Sequence, residues 1–170
     1  LPAPTGRTDT IPVPENGAGR MGRDGRLYQI AQWYPRFAVY DDVNGWNTLP
    51  YIGAGEFYLE YGDFDVRLTV PATFIVASTG TLENPADVLT ESQRVRLLQA
   101  QRGGDPVAII TADEAGNAAR TRPAASGSLT WHFRASNVRD VAFACAPNFR
   151  WDATAWNGIL PVPTDRLSWE

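Results

Sequence analysis

The sequence is poor in the residues that form disulfides and metal centres. It contains one cysteine, Cys145, and one histidine, His132, among its 170 residues. A single cysteine excludes an intrachain disulfide. A catalytic zinc site needs about three protein ligands, which usually include histidine, and no HExxH motif is present. We therefore expect no catalytic residue, no metal site and no cofactor in this segment.

Long apolar runs and runs of basic residues are also lacking. No apolar stretch approaches the roughly 20 residues of a membrane-spanning helix, and no basic cluster marks a membrane surface. The net charge of −4 argues against nucleic acid as a partner. A single cysteine is compatible with the cytosol and with the periplasm. A periplasmic or extracellular location is slightly favoured.

Apolar and aromatic residues are plentiful, and they are distributed in a way that suggests three regions. Hydrophobic residues make up 44% of the chain and aromatic residues 11%, which is enough for the core of one domain. Residues 1–26 are rich in proline and glycine and are predicted to form an extended N-terminal segment. Residues 27–155 are predicted to form a β-domain. Residues 156–170, a tail with Pro and Trp, would lead to a catalytic domain outside this sequence.

Alternation of apolar and polar residues predicts most of the secondary structure. A period of two is typical of strands with one buried and one wet face. The predicted strands or apolar β-type runs are 29–34, 37–40, 57–70, 74–78, 107–110, 129–134 and 138–145. Many short strands with turn residues between them indicate an all-β fold of sandwich-like antiparallel sheets.

One segment, at about 90–102, has helical features. Thr90 and Gln93 have the spacing of a capping box, in which each side chain bonds the other residue's backbone N–H. Val95 and Leu98, with Leu97 beside them, form a narrow apolar stripe that we expect to face the core. We therefore predict one inserted α-helix.

The stretch 28–70 concentrates aromatics, carboxylates and glycines, and a series of ordered blocks begins there. These are Gln-Ile-Ala-Gln-Trp-Tyr-Pro-Arg (29–36), Tyr-Asp-Asp (40–42), Gly-Trp-Asn (45–47), Gly-Glu-Phe-Tyr-Leu-Glu-Tyr-Gly-Asp-Phe-Asp-Val (55–66), Leu-Thr-Trp-His-Phe (129–133) and Asn-Val-Arg-Asp (137–140). Over about residues 20–155 the chain resembles the N-terminal β-domain of bacterial zinc metallopeptidases of the aminopeptidase N type, the gluzincins. The zinc motif of that family and its Gly-x-Met-Glu-Asn motif are absent.

The resemblance implies a non-catalytic domain that packs on the catalytic domain of the same polypeptide. Zinc is implied for the parent protein, which would remove N-terminal residues from peptides. In this family a Gln or Glu of the N-terminal domain helps to bind the free α-amine of the substrate. Gln32 resembles that residue, and Gln29 is the alternative. The family's domain usually has strands before such a segment, so an exposed edge and self-association of the isolated chain are expected.

Other functions remain open on the residues alone. The aromatics Trp33, Tyr34, Trp46, Tyr51 and Tyr58 suggest a free-standing carbohydrate- or peptide-binding β-sandwich, although core packing would also explain them. The carboxylates Asp41, Asp42, Glu56, Glu60, Asp63 and Asp65 suggest a carboxylate-pair hydrolase; Asp41, Asp42, Asn44 and Asp63 also suggest a calcium site. Turn capping and pairing with arginine would explain most of these. A Ser-His or Cys-His hydrolase would have to use His132, with Cys145 as the cysteine, but an exposed strand histidine and a buried thiol are favoured.

Overall fold

The computed structural model describes residues 19–22, 25–48, 58–124, 126–155 and 165–166. Twelve strands and three helices lie in these ranges. They are β1 (Gly19–Gly22), β2 (Gly25–Ile30), β3 (Tyr40–Asp41), β4 (Gly45–Trp46), β5 (Gly62–Pro71), β6 (Ile75–Ser78), β7 (Thr81–Leu82), α1 (Pro85–Val88), α2 (Glu91–Ala100), β8 (Val107–Ile110), α3 (Ala118–Thr121), β9 (Ser128–Val138), β10 (Phe143–Ala146), β11 (Trp151–Ala153) and β12 (Asp165–Arg166). Most of the predicted N-terminal segment and tail lies outside the described residues.

The strands pair exclusively in the antiparallel sense in the part of the chain that is described. They form a four-stranded sheet in the order β1-β2-β10-β6 and a three-stranded sheet in the order β5-β9-β7. A second three-stranded sheet has the order β12-β11-β8, and β3 and β4 form a separate hairpin. Two of the helices have four residues each, and α2 has ten. The predicted all-β fold with one substantial inserted helix is therefore confirmed.

The core is assembled from the inner faces of these sheets. Along β5, Val66 and Leu68 point inward while Asp65 and Arg67 are exposed, and β9 alternates in the same way. This is the period-two burial that the sequence pattern predicts. The largest fully buried side chain is Trp131 on β9, and it stacks on Phe133 with ring centroids 6.4 Å apart.

The sheet of β5, β9 and β7 leaves one long strand at its edge. In the order β5-β9-β7, the ten-residue β5 has a strand neighbour on one side only among the described residues. Such an edge is a template for pairing with another chain. The self-association of the isolated chain stays a prediction.

Helix α2 begins as predicted but faces the opposite way. Thr90 and Gln93 form the capping box, and the helix ends at Ala100. However, Val95 and Leu98 are 55% and 60% exposed, whereas Gln93 is buried. The prediction that Val95 and Leu98 face the core is wrong, whereas Leu97, predicted beside them, is half-buried and packs against the core. The reason is the Gln93 amide, which donates through Nε2 to the carbonyl of Thr121 at 3.1 Å and so turns its own face inward.

Two predicted strands are interrupted. The strand predicted for 29–34 ends at Ile30, since Gln32 has a left-handed backbone with φ of 55°. The strand predicted for 138–145 is absent as one element, because β9 runs to Val138 and β10 starts at Phe143. Between them, Asp140 and Val141 make contacts with side chains of residues 33–36, and the Ala142 carbonyl accepts the N–H of Thr79 at 3.0 Å. In the predicted strand 57–70, Phe57 lies outside the described residues and β5 begins only at Gly62.

Candidate functional site

The two candidate glutamines lie at the end of β2, beside β10. Gln29 pairs in register with Ala144, and Ile30 pairs with Phe143. Gln32 follows after the strand has ended, and both glutamine residues are exposed. Gln32 is one of two described non-glycine residues with positive φ, a conformation that L-residues adopt rarely. The turn at Gln32 follows the end of the pairing between β2 and β10.

Trp33 anchors the chain immediately after Gln32. Its indole Nε1 donates to the main-chain carbonyl of Val141 at 3.0 Å. Its ring meets Phe143 edge to face, with centroids 5.6 Å apart. Edge-to-face geometry of this kind adds to the area that the rings bury. The backbone of Gln32 is thereby held between a strand on one side and a docked indole on the other.

Asp140 is the second anchor of this segment. Its Oδ1 accepts hydrogen bonds from the hydroxyl of Tyr34 at 2.9 Å and from the backbone N–H of Val141 at 2.7 Å. The same oxygen forms an ion pair with Arg36 Nη2 at 2.6 Å. The Arg36 guanidinium also lies 4.9 Å from the centroid of the Tyr34 ring. Desolvation, together with the hydrogen bond and the charge of Asp140, raises the pKa of Tyr34. We call the group of Trp33, Tyr34, Arg36, Asp140 and Val141 the junction.

The junction gives the backbone of Gln32 a defined position. An exposed side-chain amide offers a carbonyl oxygen that accepts hydrogen bonds and an NH₂ group that donates them. It does not transfer protons near neutral pH. The Gln32 side chain, held in this turn, can therefore bind a charged hydrogen-bond donor.

His132 belongs to a separate charged cluster on the outer face of β5 and β9. Its Nε2 lies 3.0 Å from Asp65 Oδ1. The other oxygen of Asp65 accepts from Arg134 Nε at 2.9 Å, and Arg67 ion-pairs with the same carboxylate at 2.7 Å. The hydrogen bonds from Arg134 and His132 lower the pKa of Asp65. The Asp65 carboxylate therefore contacts three side chains, Arg67 on β5 and His132 and Arg134 on β9.

Cys145 does not share that cluster. It lies buried on β10, in the four-stranded sheet, whereas His132 lies on β9 in the sheet of β5, β9 and β7. Burial raises the pKa of its thiol to about 11, and the thiolate is the nucleophilic form. The structure therefore does not bring the residues of a Cys-His couple together.

The carboxylates near the hairpin of β3 and β4 hold turns where their contacts are described. Asp41 Oδ1 accepts the N–H groups of Val43 at 2.9 Å and Asn44 at 2.6 Å, an Asx-type turn. Asp63 Oδ1 accepts the N–H of Asn137 at 2.8 Å. Glu60 and Asp42 are exposed. In the described part of the chain, no group of three or more His, Cys, Asp or Glu side chains is placed to hold a metal ion.

The aromatic residues that suggested a carbohydrate- or peptide-binding surface lie in separate places. Trp33 and Tyr34 are half-buried in the junction. Trp46 is 61% exposed and contacts Tyr40, which is 62% exposed, with their rings at 70°. Tyr58 is exposed away from any described ring contact, and Tyr51 and Glu56 lie outside the described residues.

Asp140 and Tyr40 are residues whose roles the sequence did not reveal. Asp140 sits in the Asn-Val-Arg-Asp block, but its partners Tyr34 and Arg36 are more than 100 positions away. No local pattern signals a contact at that separation. Tyr40 is preceded by buried Val39, but the run 37–40 is apolar throughout, so its sequence carried no signal that Tyr40 faces outward.

Comparisons with known proteins do not assign the chain to a family. No protein-family model matches it, and no curated protein or solved structure gives a significant match. The resemblance to aminopeptidases therefore rests on the sequence blocks described above. Among the described residues, no helix has the length and apolar character to cross a membrane.

Proposed function

We propose that this chain is a non-catalytic N-terminal domain of a zinc aminopeptidase-like protein. It packs on the catalytic domain of the same polypeptide, and Gln32 helps to bind the N-terminus of a peptide substrate. The single observation that carries the role of Gln32 is its exposed position in a left-handed turn that leads into the junction. Gln29, which is also exposed, is the alternative residue.

The energetic role of Gln32 follows from the chemistry of the ammonium group. A peptide's α-ammonium carries three donors and loses its water when it enters a cleft. Donors left without acceptors would be costly. The amide oxygen of Gln32 supplies one acceptor, and carboxylates of the catalytic domain would supply others. Zinc in that domain would provide the activated water that the family resemblance implies, and no residue described here is assigned to it.

The test is steady-state kinetics of the polypeptide that contains both domains, with a fluorogenic aminoacyl substrate. A hydrogen bond from a charged donor to a neutral acceptor contributes roughly 1.5–3 kcal/mol. Gln32→Ala is therefore expected to lower kcat/KM by about tenfold to a hundredfold. Gln32→Glu keeps an acceptor at this position and should retain more activity than Gln32→Ala. Zinc content and the unfolding temperature should not change enough to explain the loss.

Gln29→Ala is the matched control, because Gln29 is an exposed glutamine three residues away on β2. An unchanged kcat/KM for Gln32→Ala would remove Gln32 from substrate binding. A larger loss for Gln29→Ala would transfer the role to Gln29. The same loss with substrates whose amine is acetylated would show that neither amide recognises the ammonium group.

A second candidate function is a free-standing carbohydrate- or peptide-binding β-domain. The exposed contact between Tyr40 and Trp46 favours it, since exposed aromatic rings can stack on a sugar or a peptide side chain. The reading frame of the gene discriminates the two proposals. An HExxH-bearing domain downstream of residue 170 would support the peptidase proposal, and a stop codon directly after Glu170 would support the binding module.

A further inference from the structure

The hairpin formed by β3 and β4 carries its aromatic side chains on the outside. Tyr40 pairs in register with Trp46, and their rings touch edge to face with centroids 5.1 Å apart. Val39, the residue before Tyr40, is only 1% exposed and faces the domain. Because neighbouring residues of a strand point to opposite faces, the inward face is held by Val39 and the outward face by the ring pair. We call residues 40–46 the aromatic hairpin.

The tip of the aromatic hairpin is acidic. Asp41 uses one oxygen, Oδ1, to accept the two N–H groups of its turn. Asp42 is exposed and has no ion pair with a described residue. The hairpin therefore combines two exposed aromatic side chains with an exposed carboxylate at its tip. A cation that stacks on the rings would satisfy both features.

The domain itself shows which cation fits such a combination. Arg36 lies over the ring of Tyr34 at 4.9 Å and pairs with Asp140 at 2.6 Å. Arg139 lies over the ring of Tyr61 at 4.8 Å. A guanidinium is planar, stacks on aromatic faces and offers a fork of donors to a carboxylate. The aromatic hairpin likewise has exposed rings and an exposed carboxylate, but no described arginine lies over its rings.

We propose that the aromatic hairpin binds an arginine side chain of a protein partner. The guanidinium stacks on Tyr40 or Trp46 and pairs with Asp42, while the exposed Val43 packs on the aliphatic part of the bound segment. The acidic tip and the net charge of −4 disfavour two hairpins meeting each other across a symmetric dimer. The inference goes beyond the proposed function, because it does not depend on Gln32 or on peptidase activity.

The test uses the 170-residue chain, labelled with ¹⁵N, and three short peptides. They are acetyl-Gly-Leu-Arg-Leu-Gly amide and the same peptide with lysine or with citrulline in place of arginine. Citrulline keeps the planar shape of arginine but has no charge. The arginine peptide is expected to shift the backbone signal of Gly45 and the indole signal of Trp46 saturably. Its affinity should exceed that of the citrulline peptide by about fivefold or more, with lysine between them.

Variants of the chain locate the contact. Trp46→Leu keeps an apolar side chain but removes the ring, and should lower the affinity for the arginine peptide by about twofold to fivefold. Asp42→Asn should weaken it by a similar factor and reduce the dependence on salt. Tyr61→Leu is the matched control, since that ring is already covered by Arg139 and its loss should leave the affinity unchanged. The Gly45 signal reports whether the hairpin has stayed folded in each variant.

Several outcomes would overturn the proposal. Equal affinity for the arginine and citrulline peptides would show that charge is irrelevant. Saturable shifts at the hairpin with an oligosaccharide, and none with the arginine peptide, would identify a sugar platform. Hairpin shifts that depend on protein concentration without any peptide would identify a second copy of the chain as the occupant. Weakening by Tyr61→Leu as large as that by Trp46→Leu would show that the peptide binds elsewhere.

Discussion

The indole N–H of Trp33 donates to the carbonyl of Val141 across 108 residues of sequence, at 3.0 Å. This bond joins the turn after β2 to the break between β9 and β10. The first segment contains Gln32, a non-glycine residue with φ of 55°, and the second follows shortly after Asn137, which has φ of 56° near the end of β9. Local strain of this kind persists where surrounding contacts outweigh its cost. The junction supplies those contacts, and it leaves the Gln32 side chain exposed.

The left-handed backbone of Gln32 should make the glycine variant at this position more stable than the alanine variant, the reverse of the usual order. An L-residue in the left-handed region is penalised by roughly 1–2 kcal/mol, and glycine is not. Gln32→Gly should therefore be more stable than Gln32→Ala by about 1 kcal/mol in chemical denaturation. The same pair at Gln29, within β2, should show the ordinary order, with glycine the less stable. Equal stabilities at position 32 would mean that the turn relaxes to negative φ.

Gly80 and Gly104 separate a steric requirement for glycine from a conformational one. Both have positive φ, 101° and 112°. A Cβ at Gly80 would lie 2.4 Å from the carbonyl oxygen of Arg134, whereas a Cβ at Gly104 would meet nothing within 4 Å. Gly80→Ala must move the β9 backbone, so it should destabilise the chain by about 2 kcal/mol more than Gly104→Ala. Thermal unfolding of the two variants tests this, and similar melting temperatures would contradict it.

Gln93 should contribute more to stability than its capping partner does. Its Oε1 accepts the Thr90 N–H at 2.9 Å, and its Nε2 donates to the Thr121 carbonyl at 3.1 Å. Thr90→Ala removes one cap and should cost about 1 kcal/mol. Gln93→Leu leaves the Thr90 N–H without its partner and removes one of the two donors to the Thr121 carbonyl, which also accepts from Arg122 Nη1. Both bonds of this buried side chain are lost, which should cost about 2 kcal/mol. Urea denaturation compares them, and a smaller loss for Gln93→Leu would show that apolar packing compensates.

Glu114 should make stability depend on pH in an acidic window. It pairs with Arg96 through both oxygens, at 2.6 and 3.1 Å, and accepts the Thr111 N–H. The Arg96 hydrogen bond is the largest cause that lowers the pKa of Glu114 from 4.5 to about 2. Because the folded pKa lies below the unfolded one, the contribution is complete above pH 4.5 and disappears as pH falls towards 2.

The measurement is the difference in unfolding free energy between the wild type and Glu114→Gln as a function of pH. It should be at most about 3 kcal/mol at pH 7 and should shrink steadily between about pH 4.5 and 2. Glu91→Gln is the matched control, since Glu91 forms an exposed pair with Arg94 on α2, and exposed pairs contribute little. A difference that does not change with pH would mean that Glu114 acts through packing alone.

Local patterns in the sequence predicted the features that depend on neighbours along the chain. The alternation in 57–70 and 129–134 corresponds to the exposed and buried faces of β5 and β9. The capping box at Thr90 and Gln93 forms as the spacing predicts. A strand's two faces and a helix's first turn involve residues only a few positions apart, so their signals survive in the sequence.

Contacts between distant residues decided the rest. The inward face of α2 follows from the hydrogen bond of Gln93 to Thr121, 28 residues away, and it overrides the apolar stripe of Val95 and Leu98. The position of Gln32 follows from the bond between Trp33 and Val141. The sequence by itself determined the fold class, because that depends on short-range periodicity. It also made Gln32 and Gln29 candidates, through the resemblance of its ordered blocks to a known family. Only the tertiary structure decided which of these side chains are anchored and which face solvent, because that depends on which distant donors and acceptors the fold brings together.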